Sequence, residues 1–90
     1  MMYPFCKYAD GTEVVFSDIK KEDNREILYV HFERPTYFGF DSIRFELPSC
    51  NIVYKEGHYG KKEIEMFLGI VKRGAPFFYK WSKEGGIEIA

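Results

Sequence analysis

The sequence predicts an α+β domain: an antiparallel meander of four or five strands, then a C-terminal helix and a short second helix packed on one face of the sheet. Three observations predict it. Residues 41–47 alternate, with Ile43, Phe45 and Leu47 on one side and Ser42, Arg44 and Glu46 on the other, the pattern of a sheet with one buried face. At Lys61 the period changes, and Ile64, Phe67, Leu68 and Val71 follow the i, i+3, i+4, i+7 spacing of a helix. Turn residues, among them Asp10-Gly11 and Pro48-Ser49, punctuate the β-rich part.

Each element follows from its residues. Asp-Gly favours a two-residue type I′ hairpin turn, with both residues at positive φ. Such a turn pairs Ala9 with Thr12, Lys7 with Val14 and Phe5 with Phe16, which makes the two phenylalanines a core cross-strand pair. KKEDN, residues 20–24, is polar and turn-like. REILYVHFE, residues 25–33, places Leu28, Val30 and Phe32 on one face. Ile27, Tyr29, His31 and Glu33 form an amphipathic second face, and Pro35 ends the strand because it cannot donate to a ladder. Residues 50–54 form a fifth strand or continue the sheet.

On the first helix, Met66 and Ile70 widen the apolar stripe. Lys72 and Arg73 suit the negative end of the helix dipole, and Gly74 suits the left-handed position after the last turn. Pro76 fits the first turn of a second helix whose buried residues are Phe77, Phe78 and Trp81, and Gly85-Gly86 ends it.

The 90 residues make one domain, 1–90, without linker, repeat or low-complexity tract. A chain this short buries roughly 60–65% of its extended surface, so the 19% aromatic content is the means of filling a small core. Net charge is −1, with 13 basic and 14 acidic residues. That balance excludes the simplest electrostatic case for nucleic acid or membrane binding and leaves room for a local basic patch. Cys6 and Cys50 lie far apart, without CxxC spacing, and the opening MMYPFCKYADG has neither the basic nor the apolar region of a signal peptide. The expectation is a cytoplasmic protein with free thiols.

Two segments stand out as binding candidates. Tyr37-Phe38-Gly39-Phe40 is an aromatic loop that docks a protein partner, stacks on bases, or folds back into the core. Its centre matches the aromatic-Gly-aromatic strand of RNA-recognition motifs. Tyr37 replaces the first glycine, Asp41 stands at an apolar position, and the helix which that fold needs between its first two strands is missing. KEGHYGKK, residues 55–62, leads from strand to helix, and His58, Lys61 and Lys62 form an anion-binding candidate. It is not a phosphate loop, since two residues separate Gly57 and Gly60 where four are required.

Catalysis has no comparable support. His31, Glu33 and His58 lack the tight spacing of a zinc motif, and Cys50 and His58 fall at opposite ends of a strand. No GxSxG elbow is present, and nothing calls for a cofactor. An RNA-cleaving toxin using His31 or His58 as acid and base is the remaining enzymatic reading. The leading expectation is a non-catalytic module that binds another protein or a second copy of itself. The alternative is a binder of single-stranded nucleic acid or a phosphate ligand.

Overall fold

The computed structural model describes residues 1–86. Strands β1 (Met2–Lys7), β2 (Glu13–Ser17), β3 (Lys20–Glu22), β4 (Arg25–Thr36), β5 (Gly39–Leu47) and β6 (Ile52–Glu56) precede a single helix, α1 (Lys61–Lys83). The main sheet runs β1-β2-β4-β5-β6, all antiparallel, and β3 pairs with the start of β4. The α+β class stands, with an antiparallel sheet of six strands and one helix among the described residues.

The alternation in β4 and β5 sets the core. Leu28, Val30 and Phe32 meet Leu47, Phe45 and Ile43 across the ladder, and all six are buried. Val14 and Phe16 of β2 extend this face, and Phe67, Val71 and Phe78 of α1 cover it. Phe67 stacks on Phe32 with ring centroids 4.2 Å apart. Losing a buried ring of this kind costs about 3–5 kcal/mol.

The hairpin register differs from expectation. Lys7 pairs with Glu13 and Cys6 with Val14, and a bulge at Phe5 then brings Tyr3 opposite Phe16. The connection is a three-residue loop. Gly11 N–H donates to Tyr8 O, Gly11 alone takes a positive φ of 91°, and Asp10 accepts Thr12 N–H at 2.9 Å. The two-residue turn with both residues at positive φ occurs instead at Asp23-Asn24 (φ 50° and 65°). It joins β3 to β4, so only part of KKEDN is turn. Between β2 and β3 the ladder breaks, and Ser17 Oγ accepts Tyr29 N–H in place of a backbone carbonyl.

Pro35 does not end its strand; β4 continues to Thr36. Pairing with β2 stops at Glu13–Glu33. Beyond that point β4 is an edge on that side, where a residue without N–H loses no ladder bond.

The second helix is absent, and α1 continues through Gly74 and Pro76. Phe67, Val71, Phe78 and Ser82 form one uninterrupted buried stripe, which holds the helix together across the proline. Gly74 is a packing residue rather than a terminator, because a Cβ there would lie 2.7 Å from the buried Phe78 ring. Lys72 and Arg73 accordingly lie in mid-helix. Phe78 is buried and Trp81 half-buried as expected, but Phe77 is 54% exposed on the helix flank.

The two mid-helix glycines should respond oppositely to alanine. Gly74→Ala drives a methyl into the rigid Phe78 ring and should lower stability by about 1–3 kcal/mol. At Gly69 the nearest obstacle is the tip of the exposed Arg73 side chain, 3.0 Å away. There the backbone gain prevails, and stability should rise by up to about 1 kcal/mol. Urea unfolding of the two variants reads both signs.

Candidate interaction site

β4 and β5 extend past the rest of the sheet as a two-stranded hairpin. Pairs Arg34–Asp41, Pro35–Phe40 and Thr36–Gly39 carry the ladder to a turn at Tyr37 and Phe38. Tyr37 is 94% and Phe38 95% exposed, and their rings meet edge to face at 5.0 Å. Phe40, one pair below, is 58% exposed. Among the three fates open to this loop, folding back into the core is therefore not the one adopted.

Arg34 anchors the base of this hairpin. Its Nε and Nη2 donate to Asp41 Oδ2 at 3.2 and 2.8 Å. Nη1 donates to Asp10 Oδ2 at 3.1 Å and to Glu63 Oε2 at 2.7 Å. The guanidinium carbon lies 4.5 Å from the centroid of the Tyr59 ring, and Tyr59 OH shares a hydrogen bond with Thr12 Oγ1. One cation thus joins the β1–β2 loop, β5, the β6–α1 segment and the first turn of α1. The second oxygen of Asp41 accepts His58 N–H at 2.8 Å. This brings Gly57 against β5 at a φ of 91°, where a Cβ would lie 2.8 Å from Asp41 Cα.

The electrostatics follow from these bonds. The Arg34 hydrogen bond and then His58 N–H hold the Asp41 carboxyl below the usual range. Asp10 is lowered first by Thr12 N–H and also by Arg34. Arg34 donates hydrogen bonds first to Asp41 and also to Glu63 and Asp10, and these raise the guanidinium above its ordinary value. Each carboxylate accepts these bonds, which favours the charged form on both partners.

The anion-binding candidates surround the same region without converging. The His58 imidazole is 96% exposed, with Nδ1 3.8 Å from Asp41 Oδ1. Lys61 and Lys62 are exposed on neighbouring, diverging positions of the first helical turn. Glu63 already holds the helix start, accepting Gly60 N–H through Oε1 while Oε2 meets Arg34.

The uncovered face of the sheet carries cross-strand rows that the sequence did not align. Val15, His31, Arg44 and Tyr54 form one row; Glu13, Glu33, Ser42 and Glu56 form the next. A shallow depression of about 380 Å³ lies among Tyr29, Arg44, Val53 and Tyr54. His31 has both ring nitrogens engaged: Arg44 Nε donates to Nδ1 at 3.4 Å, and Nε2 lies 3.5 Å from Glu33. Burial, and then the Arg44 charge, lower its pKa against the opposing pull of Glu33. It is a strut between strands. Among the described residues, no three His, Cys, Asp or Glu side chains have metal-binding geometry, and no helix is long and apolar enough to cross a membrane.

No family model matches the sequence, and no curated protein or solved structure matches it closely enough to carry an argument.

Two pH responses follow. Asp41 and Asp10 titrate lower folded than unfolded, so below about pH 4 the unfolded chain binds protons preferentially. The stability of the latch is full above that pH and is lost as pH falls through the folded values. Arg34→Met leaves Asp41 charged and buried, and should lower the melting temperature at neutral pH by about 10 °C. That deficit should shrink as pH falls below about 4, where Asp41 of the variant, without its Arg34 partner, takes up a proton. Separately, His31 favours its neutral form when folded, so stability should decline as pH drops below about 6.5. Melting curves of His31→Gln should lack that part of the decline.

Proposed function

We propose that this protein is a non-catalytic interaction module that presents the tip of the β4–β5 hairpin to a protein partner or to a second copy of itself. The observation that carries this reading is the near-complete exposure of Tyr37 and Phe38 on a hairpin whose base is fixed by Arg34. Two large rings kept in water forgo about 3–6 kcal/mol of transfer free energy that burial would release. Rings already held against each other lose little side-chain freedom on docking. Aromatic side chains are enriched among the residues that dominate binding energy at interfaces. The contact chemistry is an apolar pocket on the partner, which receives the rings while Phe40 borders it.

Because the tip touches none of the core, Tyr37→Ala with Phe38→Ala should leave the melting temperature within a few degrees of the parent. The same pair should weaken partner binding by about 30-fold per critical ring. A photo-crosslinking residue at position 38, expressed in the native cell, should give a discrete adduct. An adduct of twice the chain mass identifies a second copy, and any other discrete mass identifies a partner. Labelling no stronger than at the exposed control position Lys20 would overturn the proposal, as would unfolding of the alanine pair.

A further inference from the structure

The balanced net charge conceals a segregation between the two layers. Six of the 13 lysines and arginines lie on α1, against two of the 14 acidic residues, and one of those two, Glu63, is turned inward onto Arg34. Lys62, Lys72, Arg73 and Lys80 are exposed, and among the described residues none enters an ion pair. The opposite face of the molecule carries Glu13, Glu33, Glu46 and Glu56 against Lys7 and Arg44. The thinnest dimension of the protein is 21 Å, while charges are screened beyond about 8 Å at physiological ionic strength. The helix surface therefore meets a ligand as a basic surface, whatever the net charge.

Aromatic groups lie within this basic strip. Phe77, four residues after Arg73 and three before Lys80, is 54% exposed and rests against Trp81 with centroids 5.6 Å apart. At Gly69 the lack of a side chain lets the Arg73 guanidinium lie along the helix. From Lys62 to Lys80 the strip runs about 27 Å along the axis. We propose that this flank of α1 binds single-stranded nucleic acid, with Lys62, Arg73 and Lys80, which share one line along the helix, on the phosphates and Phe77 stacking on a base. Linear arrays of cations interleaved with an exposed ring suit a flexible polyanion whose bases are free to stack. Two-fold pairing of this flank with a second copy would set like charges against each other. A lipid surface is disfavoured because only Met66 and Phe77 on this flank are large, apolar and about half exposed. The site is separate from the hairpin tip and does not depend on it.

The test is fluorescence anisotropy of the intact protein with a labelled, short, mixed-sequence single-stranded RNA across a range of salt. Three phosphate contacts predict a slope of log K against log salt of about −2. Arg73→Glu with Lys80→Glu should weaken binding at least tenfold, and Arg73→Lys should retain the slope. Phe77→Ala should weaken binding about fivefold with the slope unchanged, and Tyr37→Ala with Phe38→Ala should have no effect. Circular dichroism verifies that each variant is folded. No saturable binding at low salt, a flat salt response, or binding unaffected by the charge reversal would overturn the proposal. So would cosedimentation with anionic vesicles without RNA binding, or a reversal-sensitive dimer in sedimentation velocity without RNA binding.

Discussion

At the end of the sheet where β2 has stopped and the chain leaves β6 for the helix, no backbone ladder holds the segments together. Arg34 takes over that task. Three carboxylates from three different parts of the chain share its guanidinium, and an aromatic ring covers it. The arrangement works because the charges are unequally buried. Asp41 is almost fully enclosed, whereas Asp10 and Glu63 keep part of their surface in water. Only one carboxylate therefore bears a large desolvation cost, and it is the one with a two-pronged Arg34 contact and a backbone donor. The hairpin beyond projects from this base, with Tyr37 and Phe38 exposed at its tip.

The sequence states local periodicity, and the main buried stripes follow it. Met66, expected to widen the helix stripe, is nonetheless 52% exposed, because it lies on the side of α1 turned away from the sheet. The buried faces of β4 and β5 and the stripe of the helix are direct copies of spacing two and spacing 3.6. The errors occur where one residue type has more than one use. Gly74 and Pro76 read as a stop and a restart, yet the stripe from Phe67 through Val71 to Phe78 keeps its phase across them. That unbroken phase was visible and outweighs the two punctuating residues, because packing along the whole stripe exceeds one lost helical bond. Asp10-Gly11 failed for a related reason. Asp10 uses its side chain to accept Thr12 N–H, which makes a loop one residue longer and shifts the register.

The site was legible in one half only. Tyr37 and Phe38 announce themselves as large rings beside a turn glycine, but their exposure depends on what lies beneath them. Arg34 meets Asp41 across seven residues and Glu63 across 29, separations that no motif or period encodes. The Arg34–Asp41 pair was recoverable from the hairpin register once the turn was placed at residues 37 and 38. Glu63 was not recoverable, since the docking of the helix start depends on packing far along the chain. The row of His31, Arg44 and Tyr54 likewise needs the register of three strands at once.

The same topology that builds the latch also keeps the two proposed surfaces apart. Glu63, in the first turn of α1, touches Arg34, so the hairpin tip projects at the N-terminal end of the helix. Phe77 lies 14 residues further on, about 21 Å along the axis. A partner protein gripping Tyr37 and Phe38 thus leaves the aromatic end of the basic strip uncovered. The uncovered sheet face, turned away from that strip, carries more carboxylates than cations, so a polyanion bound as proposed would favour the helix flank. Segregation of charge between layers, rather than the total, is what decides which ligands each face can accept.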